Sequence, residues 1–459
     1  MTISPFDTVA AVSTPFGKGG VAVIRLSGDD AVAVTERVFF PVGGGPLSAH
    51  PPRTAVYGLI RDPDSGEILD DGLCTLFKGP HSFTGEDTAE ISCHGGVLVT
   101  RNVLEACLRA GALQAPAGEF TRRAFRNGKL DLERAEALGN LLDAGNDEQV
   151  RLARAGMNGL LTDSAEEVYT HLMAVLANME AGMDFPEEDL TEMPPEEIRE
   201  NLSRAEATVR GLISTYRTGH AIAEGVPTVI CGRPNVGKSA FYNRLLGREA
   251  AIVTSIAGTT RDILTDTASL GRVTLRLSDT AGLRESDDPV ERIGVERAKR
   301  ALDEAELVLV LTDSPEADPE SEDLALSMSR RGKAVIYVCT KCDLHPSVVG
   351  SPEGIPCVSL SSVTGEGFGE LQAAVEAAFI DGNLRMGEEA VVFSARQAAA
   401  LREAASCLAA ARENLEAGLP YDICADDVRA AMSELGMLCG REMREEVLSE
   451  IFSRFCVGK

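Results

Sequence analysis

Lys238 and Ser239 close the run G-R-P-N-V-G-K-S at 232–239, between an apolar stretch at 226–231 that predicts a strand and one at 240–246 that predicts a helix. That spacing in strand-to-helix context is a phosphate-binding loop. Its glycines let backbone N–H groups turn inward on a polyanion, Lys238 reaches the outer phosphates, and the Ser239 hydroxyl is placed to ligate Mg²⁺. Asn235, Val236, Gly237 and Ala240 complete the expected contacts. A chance glycine-rich turn is the bland alternative, and the complete pattern argues against it. The chain is expected to bind a nucleoside triphosphate.

The base is expected to be guanine. Asp279-Thr280-Ala281-Gly282 closes a strand-like run at 273–278. The acid there can hold Mg²⁺ through water, and the glycine can give its N–H to a γ-phosphate. Between the two lies Thr254-Ser255-Ile256-Ala257-Gly258-Thr259-Thr260, where the Thr260 hydroxyl is read as completing the Mg²⁺ shell only while the γ-phosphate is present. Thr340-Lys341-Cys342-Asp343 follows an apolar run at 334–339. A carboxylate at Asp343 accepts from both the ring N–H and the amino group of guanine, a pair that adenine does not offer. Ser361-Ser362-Val363 fits the last base-contacting loop. Thr340 stands where asparagine is usual, and Ser362-Val363 where alanine and a basic residue are usual, so selectivity rests mainly on Asp343. Cys339 and Cys342 form a C-x-x-C pair, but its place inside the base-recognition loop argues against a redox reading.

Ras-like enzymes orient the attacking water with a glutamine after the D-x-x-G glycine. Here that position is Leu283, which has no polar atom. Hydrolysis is then either very slow or served by other groups. Glu291, at the start of a predicted helix, is one candidate; an ordinary exposed carboxylate is the other reading.

The P-loop with Asn235, the V-T-S-I-A-G-T-T-R-D run, the D-T-A-G-L-R-E segment and the closing Cys456-Val457-Gly458-Lys459 together resemble the MnmE (TrmE) family of the TrmE-Era-EngA-like GTPases. The resemblance covers essentially the whole chain. It implies a K⁺ ion beside the γ-phosphate in place of an arginine finger, with Asn235 ligating by its side chain and Thr254, Ile256 and Thr259 largely by backbone carbonyls. It also implies that Glu291 positions the water. Such a cation neutralises charge developing between the β- and γ-phosphates without a partner protein. Ser255 departs from the aspartate that often follows the threonine, a change the carbonyl ligands survive.

Length and composition bound the rest. At 459 residues the chain has room for roughly two to four domains. Hydrophobic content of 44% and charged content of 25% are those of soluble globular proteins. No run approaches the roughly 18 apolar residues of a bilayer span, and residues 1–7 lack a basic-then-apolar signal. A cytoplasmic protein is expected. Eleven cysteines without paired spacing apart from that one case suit a reducing compartment. A net charge of −27 speaks against a large RNA footprint. Either contact is local, or a partner subunit supplies basic surface, or the source organism's proteome is generally acidic.

Strand-like runs at 9–13, 21–26 and 55–60 alternate with short helical stretches, which predicts an α+β domain over 1–127. From Leu130 apolar residues recur at three and four, predicting long amphipathic helices to Met183. Asp184-Phe185-Pro186 breaks them, and Pro194-Pro195 starts another. Helical pattern returns at 395–415, 425–438 and 442–455. The fold class expected is therefore an α+β N-terminal domain (1–127), an all-α domain in two parts (128–225 and 382–459), and an inserted α/β P-loop GTPase domain (226–381).

Three N-terminal segments carry charges on glycine-rich turns: 15–20 followed by Arg25, 83–87 with Glu90 and His94, and 118–130 with Lys129. Such turns suit a flat anion. The resemblance makes this a tetrahydrofolate-binding and dimerisation domain, with Arg25, Glu90 and Lys129 as folate contacts and Lys459 reaching in from the C-terminal segment. Arginine and lysines suit glutamyl carboxylates, and a glutamate suits the donor face of a pterin. Surface ion pairing is the plain alternative for Glu90 and Lys129. His94 is read as a hydrogen-bonded turn residue. Ala117 replaces the proline usual before Gly118. Cys456 stands near Arg454 and Lys459, which can lower a thiol pKa; the resemblance implies a part for it in the family's modification chemistry, and a packed cysteine is the plain alternative.

The resemblance implies a K⁺-dependent GTPase acting with a flavoprotein partner, MnmG, as a heterotetramer. The product is an aminomethyl or carboxymethylaminomethyl group at C5 of the wobble uridine of certain tRNAs, with 5-formyl- or 5,10-methylene-tetrahydrofolate as one-carbon source. A homodimer without membrane association is expected. Two rivals are a GTP switch in ribosome assembly and a folate-dependent aminomethyltransferase with a regulatory GTPase.

Overall fold

A computed structural model describes residues 4, 7–184, 193–247, 266–278, 300–313, 318–344, 352, 354–382, 384–385, 387–441, 445–453 and 455–458. The chain divides into two units, residues 1–139 with 439–459, and residues 140–438.

In the first unit, alternating sequences build one sheet from β1 (Val9–Val12), β2 (Val21–Ser27), β3 (Phe39–Pro41), β4 (Val56–Arg61), β5 (Ile68–Phe77), β6 (Thr88–His94) and β7 (Leu113–Gln114). Their order is β3-β4-β5-β6-β2-β1-β7, antiparallel except for β1 with β7. Because side chains alternate faces along a strand, Ala22, Ile24 and Leu26 of β2 and Ala89, Ile91 and Cys93 of β6 enter one core. There they pack with residues of the helices Ala31–Val38 and Val97–Arg109. The same alternation sends Arg25 and Glu90, which are register partners, to the opposite face. Phe120 of the helix Glu119–Arg126 packs there on Val9 and Ala11.

Arg123 of that helix is buried, and an unpaired buried guanidinium would be costly. It donates to Glu119 Oε1 (2.9 Å), Glu86 Oε2 (2.9 Å), the Ser27 carbonyl (3.2 Å) and the Asp7 carbonyl (2.8 Å). The network fixes the loop around Glu86 against the helix. The chain's final described residues join the same unit through an antiparallel bridge between Ala117 and Val457.

In the second unit the helices Leu160–Asp184, Pro195–Ser214, Ala395–Glu416 and Tyr421–Leu438 pack on one another, each on two of the others. Ile198, Leu202, Ala205, Val209 and Leu212 form the inward stripe of one, and Ala398, Leu401, Ala405 and Leu408 that of another. Spacing of three and four residues puts each set on one face. A capping box starts the third helix: Ser394 Oγ accepts from the Gln397 N–H at 3.2 Å, and Gln397 Oε1 accepts from the Ser394 N–H at 3.3 Å.

Between the second and third of these helices lies a sheet of order β13-β12-β11-β8-β10-β9, from β8 (Val226–Gly232), β9 (Asp266–Leu270), β10 (Val273–Ser278), β11 (Leu307–Thr312), β12 (Ala334–Cys339) and β13 (Cys357–Ser359). It is parallel except for the β9–β10 hairpin. Near-continuous apolar runs are what a sheet covered on both faces needs. Leu307, Leu309 and Leu311 enter one core while Val308 and Val310 enter the other. The fold is thus α+β, all-α and inserted α/β parts, the class expected from the sequence. No helix among the described residues is long and apolar enough to cross a membrane.

Both ends of the insertion meet the short helix Tyr216–Ala223. The Thr218 hydroxyl donates to the Phe379 carbonyl (3.2 Å) and accepts from the Asp381 N–H (2.9 Å). The Thr215 hydroxyl donates to the Leu212 carbonyl (2.7 Å) and accepts from the Val392 N–H (2.9 Å). Thr218 is 2% exposed and Phe379 4%, so water does not readily replace the bond between them. Thr218→Val is expected to destabilise the second unit by about 1–3 kcal/mol, read by chemical denaturation of the full chain; an unchanged transition would contradict the clasp.

Candidate functional site

The loop 232–239 follows β8, which lies between β11 and β10 where the strand order turns back on itself. Ligands of open α/β sheets bind in the crevice at such a switch point. Gly232 is held at φ 145°, and a Cβ there would lie 2.3 Å from the Leu311 carbonyl oxygen. Only glycine lets β8 run so close to β11 and then turn. Asn235 adopts a left-handed φ of 67°, uncommon for a side chain bearing a Cβ. The helix Lys238–Gly247 begins at the end of the loop, and the Phe241 N–H makes the helical bond to the Gly237 carbonyl at 2.9 Å. The N–H groups ahead of Phe241 are the unsatisfied donors of a helix N-terminus, directed at the anion position. The Lys238 ammonium lies 2.7 Å from the Gly232 carbonyl and 2.8 Å from that of Arg233. Burial lowers its pKa, with the nearby Cys231 opposing. Ser239 is exposed beside it.

The base-recognition segment is fastened to this loop by its own side chains. The Thr340 hydroxyl, 4% exposed, lies 2.6 Å from the Val236 carbonyl and 3.1 Å from that of Thr312. Lys341, also left-handed at φ 61°, donates from Nζ to the Asn235 carbonyl (2.8 Å) and pairs with Asp313 (2.5 Å). The Cys342 N–H reaches the Leu360 carbonyl at 3.2 Å, which ties 340–343 to the strand end preceding Ser361. Ser361 is buried, and its Oγ accepts from the N–H groups of Val363 (3.3 Å) and Thr364 (3.2 Å). Arg244, from the helix after the phosphate loop, donates to the carbonyls of Val363 (3.3 Å) and Thr364 (3.4 Å). Asp343 and Val363 remain exposed at this edge.

Asp313 and Arg244 escape a sequence reading because each supports a loop far away in the chain. Thr340, which departs from the usual asparagine, still spans the two loops. Thr254, Ser255, Ile256, Ala257, Gly258, Thr259, Thr260, Asp279, Thr280, Ala281, Gly282 and Glu291 lie outside the described residues, as do Arg454 and Lys459.

In the first unit Arg25 and Glu90 meet as cross-strand partners, with Nη2 2.8 Å and Nε 2.9 Å from Glu90 Oε1. The guanidinium carbon lies 5.7 Å from the Phe83 ring centre and 5.6 Å from that of Phe120. The Gly458 carbonyl accepts from Ser13 Oγ (3.0 Å) and Arg25 Nη1 (3.4 Å). Gly458 has φ 92°, and a Cβ would lie 2.2 Å from the Val12 carbonyl oxygen, so the terminal run docks closely on β1. Lys129 is held by the loop that carries Phe83: its Nζ donates to the Pro80 carbonyl at 2.9 Å. A flat guanidinium between rings, beside a carboxylate, offers donors and acceptors in one plane. Cys456 is exposed, and its carbonyl accepts from the Gly118 N–H at 3.4 Å. His94, at the end of β6, pairs its Nδ1 with Asp70 at 2.8 Å.

Two family descriptions match the chain: "MnmE helical domain" over residues 132–456 and "GTP-binding protein TrmE N-terminus" over residues 8–129. The chain belongs to the MnmE family. A family member of Symbiobacterium thermophilum named "tRNA modification GTPase MnmE" is 44% identical, with 99% of each chain covered. Relatives of the same name in Moorella thermoacetica and Chloroflexus aurantiacus are each 42% identical; 99% of this chain is covered in both, with 99% and 100% of theirs. Among solved structures, an Era variant of Aquifex aeolicus bound to GDP and aluminium fluoride matches 39% of this chain and 65% of that chain, at 25% identity and a TM-score of 0.26.

Thr340→Val removes the hydroxyl and leaves the Val236 carbonyl without its donor. We expect guanine nucleotide affinity to fall by about 1–3 kcal/mol, measured with a fluorescent GDP analogue. Unchanged affinity would contradict the role of this bond.

Proposed function

We propose that the chain hydrolyses GTP in the module spanning 226–381 and couples this to modification of tRNA at C5 of the wobble uridine. The observation that carries the nucleotide reading is the direct bonding of the base-recognition segment, through Thr340 and Lys341, to the carbonyls of Val236 and Asn235 in the phosphate loop. The family match along the whole chain supports the tRNA reading over a ribosome-assembly switch.

In this reading Lys238 and the loop N–H groups hold the phosphates, and Asp343 accepts from guanine. Ser239 and Thr260 are the ligands for Mg²⁺, with Asp279 acting through water. The Asn235 side chain and the carbonyls of Thr254, Ile256 and Thr259 would hold K⁺. An exposed, left-handed asparagine at the mouth of the loop and an exposed serine at the helix start each offer a side-chain oxygen, the donor type that hard cations take. When bound, the two cations supply positive charge that offsets what develops on the β- and γ-phosphate oxygens. Glu291 orients the water whose oxygen attacks the γ-phosphorus as the bond to the β-phosphate oxygen breaks, since Leu283 has no group to do so.

Residues 1–127 are read as the folate-binding and dimerisation domain, and 128–225 with 382–459 as the helical domain. Arg25, Glu90, Lys129 and Lys459 are the proposed contacts for 5-formyl- or 5,10-methylene-tetrahydrofolate. The folate would supply the one-carbon unit. The paired Arg25 and Glu90 keep 16% and 29% of their side-chain surface in solvent, which leaves both able to meet a ligand. Cys456 is proposed to take part in the modification, and the flavoprotein MnmG to complete a heterotetramer.

Hydrolysis of GTP by the full chain with Mg²⁺ is expected to be roughly a hundredfold or more faster in K⁺ than in Na⁺. Glu291→Ala is expected to lower kcat in K⁺ by roughly a hundredfold. Equal rates in the two salts, or a fully active variant, would remove the respective role.

A further inference from the structure

Cys339 ends β12, one residue before Thr340, and Cys357 opens β13, four residues before Ser361. The strands pair in parallel with Cys339 opposite Ser359 and Tyr337 opposite Cys357, so the two cysteines are diagonal neighbours. Their sulfurs lie 3.7 Å apart. Cys339 is buried, whereas Cys357 is exposed on a three-residue strand at the sheet edge. The C-x-x-C spacing points to Cys342 as the partner of Cys339, yet the thiol that meets it comes from the neighbouring strand.

We propose that Cys339 and Cys357 form a reversible oxidation site, closed to a disulfide by a peroxide, and that closure weakens guanine nucleotide binding. The second half of this inference rests on the nucleotide reading above; the first does not.

The pair has divided roles. A hydrogen bond from Cys339 lowers the Cys357 thiol to a pKa of about 7, against the opposing effect of burial. The same bond, and burial, raise that of Cys339. The exposed sulfur is therefore the more readily ionised of the two, and thiolates are the reacting form. Cys357 sulfur attacks one peroxide oxygen, the O–O bond breaks, and hydroxide leaves and takes up a proton as water. The resulting sulfenic acid is attacked by the Cys339 sulfur; the S–S bond forms, the S–O bond breaks, and the second hydroxide leaves with the Cys339 proton as water. Two thiols lose two electrons, and one hydrogen peroxide becomes two waters.

Closing the gap to about 2 Å draws the end of β12 and the start of β13 together, and the movement falls on the shorter edge strand. β12 runs directly into one base-contacting loop, and the three-residue β13 leads through Leu360 into the other. The Leu360 N–H bonds the Cys339 carbonyl at 2.8 Å, and the Leu360 carbonyl accepts from Cys342, so a shift between β12 and β13 passes directly to 340–343 and 361–363. Coupling is reciprocal: bound GDP should resist disulfide formation by the factor through which the disulfide weakens GDP.

The test uses the full chain, reduced and then treated with hydrogen peroxide. Remaining thiols are alkylated, the bridge is mapped by peptide mass, and the affinity of a fluorescent GDP analogue is measured before oxidation, after it and after dithiothreitol. We expect a Cys339–Cys357 bridge, roughly fivefold or more weaker binding, recovery on reduction, and no such change in Cys357→Ser. A bridge elsewhere, no bridge, or the expected bridge with unchanged affinity would overturn the proposal. If the reduced protein fails to bind the analogue, the nucleotide reading fails instead, while peptide mapping still decides the oxidation site.

Discussion

A module inserted into a helical domain acts on its host through the two places where the chain enters and leaves it and through the side chains that bridge the two. Here the entry follows directly from one short helix, Tyr216–Ala223, and the exit is fastened to that helix and to the residue before it. The Thr218 hydroxyl holds the exit segment at Phe379 and Asp381, and Thr215 holds Val392 just before the next bundle helix begins. A third tie comes from Asn146, which caps the helix Asp147–Met157 and reaches the Thr274 hydroxyl on β10 at 3.0 Å. β10 leads to Asp279, the residue read as sensing the metal and γ-phosphate. A change at the nucleotide therefore meets packed helices rather than a slack linker.

The nucleotide site depends on the same economy of short contacts. β8 must run against β11 closely enough that glycine is required at 232, and this sets where the phosphate loop starts. From there, Thr340 and Lys341 fix the base segment by bonding loop carbonyls, and Arg244 fixes the last loop from the opposite side. Each support is a side chain on a backbone carbonyl. Such bonds hold loop position without demanding a particular neighbouring side chain, which is how threonine serves where asparagine is usual.

Much of this was legible from the residues because the patterns are local. The apolar runs 226–231, 273–278 and 334–339 become β8, β10 and β12 almost to the residue, since continuous apolar stretches next to glycine or polar turns have few other ways to be buried. Recurrence at three and four residues gives the helices Ala395–Glu416 and Tyr421–Leu438, and Pro195 opens the helix at its first turn. The strand β11 and the short helix Tyr216–Ala223 were not singled out. The first is an apolar run without a motif beside it, and the second has only two turns. Least legible were contacts between distant segments. Asp313 with Lys341 and Cys339 against Cys357 are set by strand register, Phe83 and Phe120 reach Arg25 from a loop and a helix, and no spacing along the chain encodes any of them.

Motion that begins at the nucleotide and ends in the helical bundle is the claim on which the functional account turns. Hydrogen exchange along the full chain, compared between GDP and a non-hydrolysable GTP analogue in K⁺ and Mg²⁺, tests it most directly. The account predicts altered protection in Ala395–Glu416 and Tyr421–Leu438 as well as in the strands around the phosphate loop. Protection that changes only within residues 226–381, with both bundle helices unaffected, would contradict it.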